Sequence, residues 1–227
     1  MANVIELKKI NKIYGTGQYQ THVLHDLDLA IVEGSFTSII GQSGSGKSTL
    51  LNIIGTLDKP SDGEVWINGS RTDSMNKKDL AVLRNKTLGF IFQFHYLLPE
   101  FTAIENVLMP FRIKNGSAPK AAVERANEIM DMVGLEKVKN NPAPKMSGGQ
   151  QQRTAIARAL MNEPKIILAD EPTGNLDSDT TETIYNLMRE INKSLGTTFV
   201  IITHDRRIAE KADRIIEISD GRITMDF

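Results

Sequence analysis

Cysteine is absent from the 227 residues, which excludes disulfides, thiolate metal sites and a cysteine nucleophile. An excess of either charge is missing too: 27 Lys and Arg stand against 28 Asp and Glu, a formal net charge of −1. A protein that holds nucleic acid mainly through its phosphates carries a basic excess, so no nucleic-acid partner is expected. Long apolar runs are also lacking. Phe199 to Ile202 and Ile166 to Ala169 are among the longest, far below the ~18 residues of a membrane helix. The opening MANVIELKKI reaches its charges before an apolar stretch of signal-peptide length accumulates,. These absences predict a soluble, cytoplasmic chain that depends on another chain for any work at a membrane.

What is present is ordinary for a folded domain, with 40% apolar and 24% charged residues and no repeat or low-complexity tract,. Val4 to Leu7 and Leu27 to Ile31 alternate apolar and polar residues and read as strands, with Asp26 and Asp28 outward,. Phe36 to Ile40 reads as a buried strand, followed by a glycine-rich loop and a helical pattern over Thr49 to Leu57. Glu64 to Ile67, bracketed by Ser61-Asp-Gly63 and Asn68-Gly69, reads as a hairpin strand, and Leu88 to Phe92 as another,. Thr102-Ala-Ile-Glu105 has capping-box spacing, and Pro110 is expected to close that short helix,. An amphipathic helix runs from about Ala118 to Val133, stopped by Gly134,. Ser147-Gly-Gly-Gln150 opens a further helix to about Met161,. Strands at Ile166 to Ala169 and Thr198 to Ile202 flank a helix over Asp179 to Leu195, with Gly196 as its stop. Arg214 to Ser219 and Arg222 to Met225 form a last pair around Asp220-Gly221. The alternation predicts an α/β fold with a mostly parallel core sheet, antiparallel N-terminal strands and a helical insertion over about 94–160.

Gly41-Gln-Ser43-Gly44-Ser45-Gly46-Lys47-Ser48-Thr49 contains the spacing G-x-x-x-x-G-K-S/T between a strand and a helix,. Glycines let such a loop wrap a phosphate chain with its N–H groups inward, and the helix presents its positive end to the same anion. Lys47 is placed to reach the outer phosphates and Ser48 to ligate Mg²⁺. The strand ending in Asp170-Glu171 brings two carboxylates to the edge where parallel sheets bind ligands,. Asp170 suits Mg²⁺ held through water, and Glu171 suits a general base for an attacking water.

Met146-Ser147-Gly148-Gly149-Gln150-Gln-Gln-Arg153 lies just upstream of that strand. A Ser-Gly-Gly at a helix start is an anion site built from a hydroxyl, free N–H groups and a dipole. The segment resembles the signature motif of ATP-binding-cassette (ABC) ATPases, and the resemblance covers essentially the whole chain. It implies a P-loop NTPase fold, with residues 1–227 forming one nucleotide-binding domain that has an antiparallel N-terminal subdomain and an inserted helical one. It further implies that Tyr14 stacks on adenine, that Gln93 touches Mg²⁺ and reports to a permease, and that His204, in Thr203-His204-Asp205, contacts the γ-phosphate. Gly174-Asn-Leu-Asp177 is similar to the loop that crosses to the opposite protomer.

Met146 stands where the family usually has leucine, and Asn175 where many members have alanine. Glu171-Pro-Thr-Gly-Asn-Leu-Asp177 is similar to the branch containing lipoprotein-releasing, macrolide/peptide-efflux and FtsE-type ATPases. Phe92-Gln93-Phe94-His95-Tyr96-Leu97-Leu98-Pro99-Glu100-Phe101-Thr102 resembles the lipoprotein-releasing type. The resemblance implies a homodimer sandwiching two ATP molecules at the cytoplasmic face of a bacterial inner membrane, driving separate permease chains. Leu97, Leu98 and Phe101 suit either a docking surface or the core of the helical lobe. A regulatory ATPase of a cell-wall or division complex is the alternative; a soluble non-transport ABC ATPase is a further one, without the coiled-coil or basic extensions such proteins carry.

Overall fold

A computed structural model describes residues 2–227. In chain order the elements are β1 Asn3–Tyr14, β2 Thr21–Val32, β3 Phe36–Ile40, α1 Lys47–Ile54, β4 Asp62–Ile67, β5 Ser70–Arg71, α2 Lys77–Thr87 and β6 Leu88–Phe92. There follow α3 Ala103–Asn115, α4 Lys120–Met132, α5 Gly148–Leu160, β7 Ile166–Asp170, α6 Ser178–Leu195, β8 Thr198–Ile202, α7 Arg206–Ala209, β9 Arg214–Ser219 and β10 Arg222–Asp226.

They form two sheets. A four-stranded antiparallel sheet has the order β2-β1-β4-β5, and a six-stranded sheet has the order β10-β9-β3-β8-β7-β6. In the larger one β9, β3, β8, β7 and β6 run parallel, and β10 is an antiparallel edge. Every residue of β3 and of β8 is buried, as expected of parallel strands covered on both faces. One face packs Ile39, Leu168, Val200 and Ile216 with α1 against Ile5, Leu7 and Leu29 of the smaller sheet. The other packs Ile91, Phe199 and Ile201 against Val107, Met130, Ile156 and Met188 of the helices. The register sets Phe92 beside Asp170 and Asp170 beside Ile202. Gln93, Glu171 and Thr203 therefore leave the sheet at one edge, where β3 also ends in Gly41.

Pro110 does not close its helix, which continues to Asn115. An interior proline forfeits one backbone hydrogen bond and costs roughly 3 kcal/mol in isolation. Here Asn85 donates to the Pro110 carbonyl at 2.9 Å, and continuation lets Phe111 pack against the helical core. The first two strands reach 12 residues each, longer than their clean alternation, because bulges interrupt the period,. Helix α1 starts at Lys47 and ends at Ile54, short of Leu57, where the chain turns at Gly55. Helix α4 begins only after Pro119.

Candidate functional site

The loop between β3 and α1 takes its shape from glycines that no other residue could replace. Gly41 has φ 153°, and a Cβ there would meet the Ile218 carbonyl oxygen at 2.2 Å. Gly46 caps α1 in the left-handed region at φ 103°, and a Cβ would meet Leu24 at 2.8 Å,. No side chain caps α1, so its first N–H groups remain available to an anion. The Lys47 ammonium is folded back on this loop, donating to the Gly41 carbonyl at 2.8 Å and the Gln42 carbonyl at 2.7 Å.

A cavity of about 450 Å³ opens over the loop, lined by Ser43, Gly44, Gly46, Lys47, Ser48 and Thr49 together with Asp170, Glu171 and His204. The Asp170 carboxyl is pushed above the usual carboxylate range by burial and by the neighbouring charge of Glu171, with Lys47 partly opposing,. Glu171 sits in the left-handed region at φ 47°, a position that costs a non-glycine residue roughly 1 kcal/mol or more. Its N–H donates to the Ile202 carbonyl at 2.9 Å, and its Oε2 lies 2.9 Å from Nδ1 of His204. Ser45, within the loop, is buried with an unpartnered hydroxyl.

The remaining expected residues lie outside this cavity. Tyr14 ends β1 with its hydroxyl donating to Asp58 at 2.8 Å, and the Lys12 ammonium lies 4.6 Å from its ring centroid. Burial and the Asp58 carboxylate raise the phenol's pKa, with Thr49 opposing. Gln93 turns instead to Asn175, donating at 3.1 Å. Ser147 caps α5 in a reciprocal box: Gln150 N–H donates to Oγ at 3.3 Å, and Ser147 N–H donates to the Gln150 side chain at 3.0 Å. Ser147 and Gly148 are exposed, and Gly149 and Gln150 half-buried. Asp177 caps α6, accepting from Thr180 N–H at 2.9 Å and Thr180 Oγ1 at 2.7 Å; those bonds hold its carboxyl below the usual range. Sequence reasoning passed over Val23, which lines the cavity, and Lys12 and Asp58, which hold Tyr14. A lysine at an inward position of an alternating strand was the available signal for Lys12.

Beyond Gln93 the chain runs through an irregular segment fixed from two helices. Asn106 of α3, wholly buried, accepts from Leu98 N–H at 2.7 Å and donates to its carbonyl at 3.1 Å. Arg158 of α5 donates to the His95 and Tyr96 carbonyls, both at 2.6 Å. The segment leaves Phe94, Tyr96 and Leu98 exposed. Beside it lies a groove of about 620 Å³ lined by Phe90, Phe92, Tyr96, Leu98, Met109 and Ile113, among others.

Residues 24–174 match the family model described as ABC transporter. The chain is 50% identical over 224 residues to the lipoprotein-releasing system ATP-binding protein LolD 1 of Rhodopseudomonas palustris, covering 98% of this chain and 99% of that one. It is 43% identical over 222 residues to LolD of Coxiella burnetii, covering 98% and 95%. Among solved structures, a dimeric post-hydrolysis state of the ATP-binding cassette MJ0796 bound to ADP and Pi superposes with a TM-score of 0.89 at 44% identity, covering 98% and 97%.

Proposed function

The chain belongs to the ABC transporter family of ATP-binding proteins, and on that premise we propose that it is the ATPase subunit of a lipoprotein-releasing system, hydrolysing Mg–ATP as one of two identical cassettes beneath a separate permease. The observation that carries this reading is the cavity in which the phosphate loop, two carboxylates and a histidine converge, in a chain similar to LolD proteins over nearly its whole length.

The loop and the start of α1 would receive the phosphates, with Lys47 exchanging its loop carbonyls for phosphate oxygens. The donor set suits Mg²⁺: Ser48 and Asp170 offer hard oxygens on the lining of one cavity,. Bound there, Mg²⁺ would supply charge neutralisation on the phosphates, and Gln93 would exchange its bond to Asn175 for the site. Glu171 orients a water for in-line attack and takes its proton, while His204, already paired with Glu171, faces the terminal phosphate. Tyr14 carries the adenine end. Ser147, Gly148, Gly149 and Gln150 would bind the nucleotide of the second copy, and Asp177 would approach it across the same interface.

The apolar groove beside residues 94–102 suits a short helix of the permease, so the protein would lie at the cytoplasmic face of a bacterial inner membrane. Two experiments test the reading. Glu171→Gln should abolish turnover, keep ATP affinity and accumulate ATP-bound dimers; wild-type turnover in that variant removes Glu171 from its role. The same variant, used as bait in solubilised membranes with Mg–ATP, should recover a permease with a large extracytoplasmic domain. Recovery of no membrane protein would overturn the assignment to a transport complex.

A further inference from the structure

Gln152 is a buried polar residue that the proposed mechanism leaves without a task. It is 0% exposed, in the second turn of α5, where a Leu or Met of similar volume would avoid the cost of burying an amide. Its Nε2 donates to the Pro172 carbonyl at 2.5 Å, while its Oε1 is buried without a partner. The glutamine therefore accepts a penalty on one side of its amide to make one bond on the other.

That bond lands beside Glu171. Pro172 has no N–H, so its carbonyl is its only backbone hydrogen-bonding group, and Gln152 engages it. The turn is held on its other sides by Glu171 N–H on the Ile202 carbonyl at 2.9 Å and by Gly174 N–H on the Glu171 carbonyl at 3.1 Å. A left-handed non-glycine residue persists only where its surroundings over-determine it, and these three bonds do so. They hold the carboxylate where it meets His204.

We infer that Gln152 is the positioning residue for Glu171, and that through it α5 transmits the state of Ser147 at its N-terminus to the carboxylate of the same chain. The inference rests on the reading of Glu171 as general base and of Ser147 as a contact to the second copy's nucleotide. Helix α5 is continuous over its 13 residues, so engagement of its N-terminus is felt at the Gln152–Pro172 bond. Each site would then adjust the carboxylate of the other.

The test uses the full chain with Gln152→Met, which keeps the volume and removes the donor, and Gln152→Glu, which keeps the shape and, when ionised, removes the donor. ATP affinity should stay within about twofold of wild type. Turnover at saturating ATP should fall by at least about tenfold, part of the ~10²–10⁴ that a general base supplies, with KM little changed. ATP-bound dimers should persist on gel filtration, as for Glu171→Gln, and the double variant with Glu171→Gln should lose no further activity. Unchanged turnover in both variants overturns the inference, as does a loss of turnover matched by a loss of ATP affinity and thermal stability. If Glu171→Gln itself keeps wild-type turnover, the fault lies in the general-base reading; if it is inactive while both Gln152 variants are normal, only the positioning role fails.

Discussion

Asp58→Ala tests the proposed adenine role of Tyr14 apart from the phosphate end of the site. Asp58 receives the Tyr14 hydroxyl at 2.8 Å, the Lys12 ammonium at 2.8 Å and the Lys59 N–H at 2.7 Å. The Lys12 side chain is 10% exposed and that of Asp58 33%. Stranding one member of a fully buried pair costs roughly 3–5 kcal/mol, while an exposed pair is worth roughly 0–1 kcal/mol. With Lys12 retaining the Lys59 carbonyl at 2.7 Å, the loss should be about 2 kcal/mol, intermediate between those limits. For a chain of this size that lowers Tm by about 4–8 °C. Tyr14, released from its only hydrogen-bond acceptor among the described residues, should also lose part of its stacking, about 1 kcal/mol or some fivefold in affinity. Thermal unfolding without nucleotide measures the first effect, and calorimetric titration with ATP and with tripolyphosphate the second. ATP binding should weaken and tripolyphosphate binding should not. An equal loss for both ligands would refute the argument, because Asp58 would then be acting on the whole site, and unchanged Tm with unchanged ATP affinity would refute it outright.

Asp170→Asn should raise the Tm of the nucleotide-free protein by about 2–4 °C, since burial and Glu171 already disfavour its charge, and should abolish Mg-dependent turnover. A lowered Tm would show that the carboxylate stabilises the empty fold. Among the carboxyls held below the ordinary range are Asp213, by its hydrogen-bonded pairing with Arg189, Asp226, by its pairing with Arg214, and Asp58, where bonds from Lys12, Tyr14 and Lys59 outweigh burial. Groups depressed on folding contribute stability that is complete above their unfolded pKa and lost as pH falls through the folded value. The Tm should therefore hold down to about pH 5 and fall below about pH 4, and Asp213→Asn should lower the plateau and flatten that fall. An unchanged acid limb in the variant would remove the Arg189 pair from the account.

The sequence made some parts of the fold legible and left others silent for identifiable reasons. β3, β6 and β8 match their expected ends because each is a short apolar run with no competing period. β1 and β2 outrun theirs because bulges displace the alternation, leaving Lys8, Lys9 and Asp26 out of step. Helix α2 carried no signal: only Leu80 and Thr87 of its residues are buried, so its face toward the protein is too narrow to set a period. The phosphate-loop residues, Asp170, Glu171 and His204 were readable because they lie in contiguous motifs at strand ends, where topology alone brings them together; Val23, inside β2, was not. Asp58 and Gln152 were not, because each acquires its task from a partner distant in sequence: Lys12 lies 46 positions from Asp58, and Pro172 lies 20 from Gln152.

The same geometry fits the proposal that two copies of the chain complete each site. Lys47, Ser48, Asp170, Glu171 and His204 share a cavity, but the second anion-seeking helix start, at Ser147, is exposed away from it. Ser147 and Gln150 satisfy one another, while the exposed Gly148 adds backbone without a side chain to shield it,. A two-fold axis that sets the Ser147 end of one copy over the cavity of another completes two sites at once, because the relation is reciprocal. In the proposed reading, opposed phosphate chains would then hold the copies together, and hydrolysis would weaken that hold at the point assigned to Glu171. A link from the Ser147 helix to Glu171 is therefore what such an arrangement needs if the carboxylate is to respond to the second copy, and among the bonds at that turn the one from Gln152 runs directly from that helix.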